Sequence, residues 1–100
     1  MCGIAGKLFF RFSPELVDPQ KLAAMAATIE HRGPDADGIW VSSDKRIGLA
    51  HRRLSIVDLS EQANQPMQVG DGRYQIVYNG EIYNHAEIRA ELEKCGHQFS

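Results

Sequence analysis

Apolar and polar residues alternate along the first twelve residues, as they do in a β-strand. One face of this predicted strand carries Cys2, Ile4, Gly6, Leu8, Phe10 and Phe12. Gly3 and Gly6 have no side chains, so they leave room either for a ligand near the N-terminus or for close packing of the sheet. The alternation predicts the strand and leaves these two uses of the glycines open.

A helix is predicted next, with a signal at each end. Asp18 is a suitable N-cap, and Pro19 suits the first helical position. The residues at helical spacing, which predict the buried stripe, are Leu22, Met25, Ala26 and Ile29. The sequence His31-Arg32-Gly33-Pro34 combines basic residues, a glycine and a proline, so we expect the helix to end there.

Two hairpins are predicted in the middle of the chain. The first spans residues 38–50 and turns at Ser43-Asp44-Lys45, and the second turns at Gly70-Asp71-Gly72. Residues 51–58 are apolar enough to be buried, whereas residues 59–67 are typical of an ordered surface loop. After the second turn, one strand face is predicted to carry Tyr74, Ile76 and Tyr78.

The last element predicted is a helix that begins at Asn84. Asn84 would be its N-cap, Glu87 would complete a capping box, and Tyr83 would pack onto Ile88. Gly96 would end the helix. Its inner face is predicted to carry Ile88, Leu92 and Cys95, which makes Cys95 a core residue. Residues 97–100 resemble the start of another extended segment, so we expect a fragment of a longer domain.

Composition narrows the function classes. The 100 residues are 43% hydrophobic and 24% charged with a net charge of -2, which fits a soluble domain and argues against nucleic acid or an anionic membrane as partner. Two cysteines and four scattered histidines make neither a disulfide framework nor a metal site. With no secretory or transmembrane segment recognisable, we expect a cytoplasmic protein.

The candidate nucleophile is Cys2, which directly follows the initiator methionine. Removal of Met1 would give one residue both a thiol and a free α-amine, whose pKa is typically about 7.7–8.0. Such an amine can take the thiol proton and later deliver it to a leaving group. Taken alone, Cys2 would more often be an ordinary buried cysteine.

Four stretches, taken together, favour the catalytic interpretation. They are Met1-Cys2-Gly3-Ile4-Ala5-Gly6, His31-Arg32-Gly33-Pro34-Asp35, Arg53-Leu54-Ser55-Ile56-Val57-Asp58 and Asn79-Gly80-Glu81-Ile82-Tyr83-Asn84. In order and spacing they resemble the glutaminase domain of class II glutamine amidotransferases, specifically the glutamine-hydrolysing asparagine synthetase family. The resemblance covers the chain from Cys2 onward and implies that residues 1–100 are the N-terminal part of that domain.

The resemblance implies an α/β (α+β) fold of the N-terminal-nucleophile hydrolase type, with two stacked antiparallel sheets flanked by helices. It implies glutamine as substrate, hydrolysed through a Cys2 thioester. A C-terminal synthetase domain of the same chain would use the ammonia with ATP and Mg²⁺, while this segment would need no cofactor. The resemblance also allows a homodimer and places an acidic ligand for the substrate ammonium beyond Ser100.

The candidate site residues follow from the chemistry of glutamine. Asn79 and the backbone N–H of Gly80 can hold an oxyanion, although Asn79-Gly80 is also a common hairpin turn. Arg53 can bind the substrate carboxylate bidentately, and Glu81 can accept from its ammonium. The resemblance assigns the same parts to Arg53 and Glu81.

The resemblance adds the residues that line the pocket and one accessory cation. The pocket-lining stretch continues from Arg53 through Leu54, Ser55, Ile56 and Val57. Arg32 is expected near the nucleophile, although a helix stop explains it equally well. Arg52 would point to the opposite face of the strand from Arg53 and is expected to be solvated.

Two alternatives remain open. The same glutaminase could serve another ammonia acceptor, such as a polysaccharide or secondary-metabolite precursor. The chain could also be a non-catalytic module that keeps the fold for binding or assembly. Retention of Met1 would favour this second alternative, because the amine would then be tied up in a peptide bond.

Overall fold

The part of the chain that the structure describes consists of antiparallel strands and two α-helices, and this arrangement confirms the expected α+β class. The computed structural model describes residues 2–54 and 64–99. The elements, in chain order, are β1 (Gly3–Leu8), α1 (Pro19–Ala27), a 3₁₀ turn (Glu30–Arg32), β2 (Ala36–Val41), β3 (Ile47–Arg53), β4 (Met67–Val69), β5 (Tyr74–Ile76) and α2 (His85–Lys94).

The strands form a three-stranded antiparallel sheet and a two-stranded one. In the larger sheet β3 is central, in the order β1-β3-β2, and Arg52 lies opposite both Gly3 and Asp37. The first predicted hairpin is confirmed as β2 and β3. Its turn is fixed by the Ser42 hydroxyl, which donates to the Asp44 carboxylate at 2.6 Å, and by Lys45 at φ 58°.

The second predicted hairpin is confirmed as β4 and β5. Gly70 and Gly72 adopt φ values of 63° and 86°, and Asp71 between them adopts 57°. Glycine favours this left-handed region because it has no Cβ to clash, and aspartate tolerates it better than most residues. The hairpin is short: β5 ends at Ile76, so Tyr78 lies beyond the strand that was expected to include it.

Strand β1 is shorter than the alternation predicted, and its buried face is the opposite one. Phe9 makes the last ladder contact, from its N–H to the Arg46 carbonyl, and the chain then turns. Phe10 and Phe12 are therefore exposed, by 79% and 92%. Burial falls on Gly3, while Ile4 on the apolar face is half exposed.

Helix α1 covers the face of the sheet that carries small residues. The buried apolar residues of this core are Val17, Leu22, Ala26 and Ala50. A Cβ on Gly3 would lie 2.8 Å from the Ile29 side chain, and one on Gly48 would lie 2.8 Å from Val17. Gly3 thus allows close packing between β1 and the segment that follows α1, which is one of the two uses left open by the sequence.

Helix α1 begins as predicted and ends earlier than predicted. Asp18 accepts a hydrogen bond from the Gln20 N–H at 2.9 Å, and Pro19 is the first helical residue. The helix ends at Ala27, and a separate 3₁₀ turn follows. Gly33 therefore caps the 3₁₀ turn and not α1: its N–H donates to the Glu30 carbonyl at 3.0 Å, and a Cβ on it would collide with the Arg52 backbone.

Helix α2 has the predicted C-terminus. The N–H of His97 donates to the Leu92 carbonyl at 3.1 Å, the N–H of Gly96 donates to the Glu93 carbonyl at 3.0 Å, and Gly96 adopts φ 95°. These are the bonds of a Schellman motif.

The helix also begins as predicted, with Asn84 at the N-cap position, but the predicted side-chain contacts of α2 are wrong. The Asn84 side chain makes no capping bond, so no capping box forms with Glu87, and Tyr83 is 92% exposed instead of packing on Ile88. Cys95 is exposed rather than in the core. These errors have one cause: α2 buries none of its residues. An apolar stripe shows which face of a helix another element could cover, but it does not show that such an element is present.

No helix in residues 2–54 and 64–99 is long and apolar enough to cross a membrane.

One buried residue of the sheet is a histidine. His51 in β3 is only 1% exposed, and its Nε2 has no hydrogen-bond partner within the described chain. Burial lowers the pKa of His51 below its ordinary value of 6.5, the Tyr78 backbone opposes this shift, and the Arg53 charge adds to it. The imidazole is therefore neutral at pH 7.

The two helix N-termini give a first prediction. Asp18→Ala should lower the free energy of unfolding by about 1 kcal/mol, because a capping bond is lost. Asn84→Ala should cost clearly less, since Asn84 makes no such bond. Urea denaturation followed by helical circular dichroism measures both. Equal costs for the two variants would contradict the assignment of the caps.

His51 gives a second prediction. The pKa of His51 is lower in the folded chain than in the unfolded chain, so the unfolded chain binds a proton first as the pH drops. The free energy of unfolding should therefore fall as the pH drops below about 6.5. His51→Gln should flatten this part of the profile, whereas His97→Gln at an exposed histidine should leave it unchanged. Urea midpoints between pH 7.5 and 5 test this, and an unaltered slope in His51→Gln would refute it.

Candidate active site

Cys2 lies immediately before β1, next to the C-terminal end of β3. Its half-buried thiol accepts a hydrogen bond from the Leu54 N–H, with 3.4 Å between nitrogen and sulfur. The antiparallel register explains this contact. Gly3 pairs with Arg52, so Cys2, which precedes Gly3, lies beside the residues that follow Arg52. The sheet therefore holds the thiol through a backbone donor.

Arg32 lies beside the main chain of Cys2. Its Nε donates to the Cys2 carbonyl at 3.2 Å, from the end of the 3₁₀ turn. The resemblance had implied this neighbourhood, whereas the sequence signal alone was equally explained by a helix stop. The early end of α1 is what frees Arg32 for this contact.

A cavity of about 270 Å³ opens at the thiol. The residues that line it are Cys2, Gly3, Ile4, Ile29, Arg32 and Asn79. Three of the predicted site residues, from segments far apart in the chain, thus meet around one space. A thiol, a guanidinium and a carboxamide are a nucleophile, a cation and a hydrogen-bond donor for a developing negative charge.

Asn79 and Gly80 do not form a hairpin turn, because no strand follows them before α2. A Cβ on Gly80 would lie 2.8 Å from the Tyr78 hydroxyl oxygen, so the phenol folds back over this glycine. The same hydroxyl donates to the Glu81 carbonyl at 3.3 Å. Gly80 and Glu81 are exposed and are not among the residues that line the cavity.

Arg53 is 7% exposed and lies outside the cavity lining. One of its guanidinium nitrogens donates to the Asn64 side-chain oxygen at 2.6 Å. Leu54 takes part in the site through its backbone N–H. The remaining predicted substrate-binding residues, Ser55, Ile56 and Val57, lie outside the described residues.

Arg52 is not solvated, which corrects the prediction. Its side chain is only 12% exposed, and its Nε donates to the Gly33 carbonyl at 2.9 Å. Carboxylate oxygens of Glu30 and Asp37 lie 3.6 and 3.7 Å from its guanidinium. Arg52 therefore holds the 3₁₀ turn against the sheet. The sequence signal for this role was Asp37, an acidic residue that lies opposite Arg52 across the hairpin.

Within the parts of the chain that the structure describes, no three His, Cys, Asp or Glu side chains are grouped as metal ligands. The cavity lining likewise offers only one thiol, one guanidinium and one carboxamide beside apolar groups. The chemistry available there is nucleophilic attack with stabilisation of negative charge.

Comparison with known proteins agrees with this geometry. A family model described as a glutamine amidotransferase domain matches residues 1–100. The chain is 42% identical to asparagine synthetase [glutamine-hydrolyzing] 1 of Bacillus subtilis over 100% of the chain and 16% of that relative. It is 44% identical to asparagine synthetase B of Escherichia coli over 91% of the chain and 16% of that relative.

A third similarity is to an amidase of Gibberella zeae, 44% identical over 73% of the chain and 11% of that relative. No solved structure matches the chain. The chain thus spans a small part of the curated relatives it resembles. Because the family model covers all its residues and the candidate nucleophile lies at the cavity, the chain belongs to the family of glutamine amidotransferase domains.

Proposed function

We propose that this chain hydrolyses the side-chain amide of glutamine, with Cys2 as the nucleophile. The observation that carries the proposal is the single cavity shared by Cys2, Arg32 and Asn79. Membership of the amidotransferase family supplies the substrate. The proposal includes an N-terminal-nucleophile hydrolase fold, of which residues 1–100 form the N-terminal part.

The reaction proceeds in two displacements. The Cys2 thiolate attacks the amide carbon of glutamine, and the carbonyl electron pair moves to oxygen, where the Asn79 amide and the Gly80 N–H donate to it. Collapse of this intermediate breaks the carbon–nitrogen bond, and ammonia leaves with the proton that the Cys2 amine took from the thiol when the thiolate formed. Water then attacks the thioester and releases glutamate and the thiol.

The base in this scheme is the α-amine of Cys2, which requires removal of Met1. In the chain as translated that nitrogen belongs to a peptide bond. The Leu54 N–H on the sulfur and the Arg32 guanidinium on the Cys2 carbonyl hold the new N-terminal residue in place. Both contacts use Cys2 atoms other than its nitrogen, so loss of Met1 leaves them intact.

The α-carboxylate and α-ammonium of glutamine would be held by Arg53 and Glu81. Two observations support this assignment. Arg53 directly precedes Leu54, which contacts the thiol, and Arg53 is buried. A guanidinium with little access to water binds a carboxylate more strongly. Leu54, Ser55, Ile56 and Val57 would complete the wall of the substrate pocket.

In the whole protein, the ammonia would pass to a synthetase domain that uses ATP and Mg²⁺ to make asparagine from aspartate. Two asparagine synthetases among the relatives support this acceptor. The similarity to an amidase keeps a different acceptor as the second candidate. No step of the glutaminase half-reaction passes through ATP or the metal.

The mature N-terminus gives a third prediction. We expect the active, cell-derived protein to begin at Cys2, because catalysis needs the free amine. Intact-mass measurement with N-terminal sequencing tests this. A preparation that hydrolyses glutamine fully while retaining Met1 would remove the proposed base.

Asn79 gives a fourth prediction. Asn79→Ala in the full-length protein should lower kcat for glutamine hydrolysis by about 10²–10³-fold with little change in KM, because the amide holds the oxyanion and not the substrate. Asn84→Ala, which changes a nearby exposed asparagine, should leave both unchanged. Ammonium salts should bypass the loss in synthesis. An unchanged kcat in Asn79→Ala would defeat the oxyanion assignment.

A further inference from the structure

The segment that carries Asn79 has little support of its own. Residues 77–84 connect β5 to α2 without a regular element, and all of them except Val77 are exposed. An oxyanion donor is effective only if its position is fixed before the reaction, because misplacement by about 1 Å can cost 10²-fold in rate. Some contact must therefore hold Asn79 at the cavity.

Tyr78, directly before Asn79, has such a contact. Its backbone N–H donates to the Gln65 side-chain oxygen at 2.5 Å. Gln65 is partly buried and lies two residues before β4, so this bond links two segments thirteen residues apart. The peptide group that donates the bond is one residue away from the Asn79 backbone.

Gln65 is itself held against the main sheet. A Cβ on Gly38 would collide with the Gln65 carbonyl oxygen, so the backbone of Gln65 rests directly on β2. Strand β2 is paired with β3 along its whole length, and the residue opposite Gly38 is the buried His51. A continuous set of contacts thus runs from the sheet through Gln65 and Tyr78 to Asn79.

The other side of Tyr78 completes the support. The phenol ring covers Gly80, and its hydroxyl donates to the Glu81 carbonyl. The bond that the Tyr78 backbone N–H donates to the Gln65 side chain fixes the start of the Asn79 segment, and the phenol fixes its continuation. Asn79 lies between these two restraints.

We propose that Gln65 is a positioning residue for glutamine hydrolysis, acting through Tyr78 to hold Asn79 at the oxyanion. The inference rests on the proposed function, since it assumes that Asn79 is the oxyanion donor. Gln65 does not itself line the cavity, and its bond to Tyr78 is its link to Asn79. Its loss should therefore lower kcat and leave glutamine binding nearly unchanged.

The test is a double-mutant cycle in the full-length protein, measured as kcat and KM for glutamine hydrolysis. Gln65→Met keeps the length of the side chain and removes the acceptor, so kcat should fall by about 10-fold or more with KM within about 2-fold. Gln65→Glu keeps an acceptor oxygen and should restore most of kcat. Gln68→Met removes the comparable hydrogen bond to Gln75 in the neighbouring hairpin and should have no effect.

The second arm repeats Gln65→Met in the Asn79→Ala background. If Gln65 acts through Asn79, its effect should disappear there, since nothing remains to be positioned. A loss of equal size in both backgrounds would make Gln65 merely structural and overturn the inference. If Gln65→Met does not accumulate, Gln65→Asn, which withdraws the acceptor by one methylene, takes its place in the cycle.

The outcomes separate the two proposals. A silent Asn79→Ala overturns the proposed oxyanion donor and, with it, the role of Gln65. A strong effect of Asn79→Ala together with a silent Gln65→Met overturns the role of Gln65 alone. A Gln65→Met loss that is absent in the Asn79→Ala background and reversed by Gln65→Glu confirms it.

Discussion

The C-terminal end of β3 is the constraint on which the candidate site depends. Three consecutive residues there each hold a different segment: Arg52 binds the Gly33 carbonyl, Arg53 binds Asn64, and the Leu54 N–H meets the Cys2 thiol. Because β3 is the central strand, paired on both edges, these residues cannot shift independently of the sheet. The alternation of side chains along one strand thus fixes several segments of the chain at one place.

The distribution of burial divides the chain into a firm part and a peripheral part. The buried apolar residues all belong to the layer between α1 and the three-stranded sheet, whereas α2 buries none and every residue of β4 is exposed. Local opening free energies follow buried contacts, so the peripheral elements should exchange their amide hydrogens first. The candidate nucleophile contacts the firm part directly, whereas the segment with Asn79 connects two peripheral elements and reaches the sheet only through Gln65 and Tyr78.

Local signals predicted most of the fold. The Asp18-Pro19 start, the turn at Gly70-Asp71-Gly72 and the Gly96 stop all depend on backbone chemistry that lies within a few neighbouring residues. The errors concern packing partners. The sequence could not indicate that α2 would leave Cys95 exposed, or that Ile29, beyond the end of α1, would pack on Gly3.

For the site, the resemblance predicted that Cys2 and Asn79 belong to one active site, and the structure brings both residues to one cavity. Residue types alone were misleading for Arg52, which looked like a solvated cation and is instead paired with two carboxylates. The environment of Arg52 is decided by the strand register. A sequence pattern indicates this register only when the pairing of the hairpin is already known. Gln65 gave no signal, since its role depends on contacts between segments distant in the chain.

The contact between Gly38 and Gln65 has a consequence for how the protein tolerates sequence change. Any side chain at position 38 would push the Gln65 backbone away from the sheet, and neither residue lines the cavity. A complete substitution scan, scored by the proposed glutamine hydrolysis, should therefore find position 38 nearly as intolerant as the candidate nucleophile Cys2.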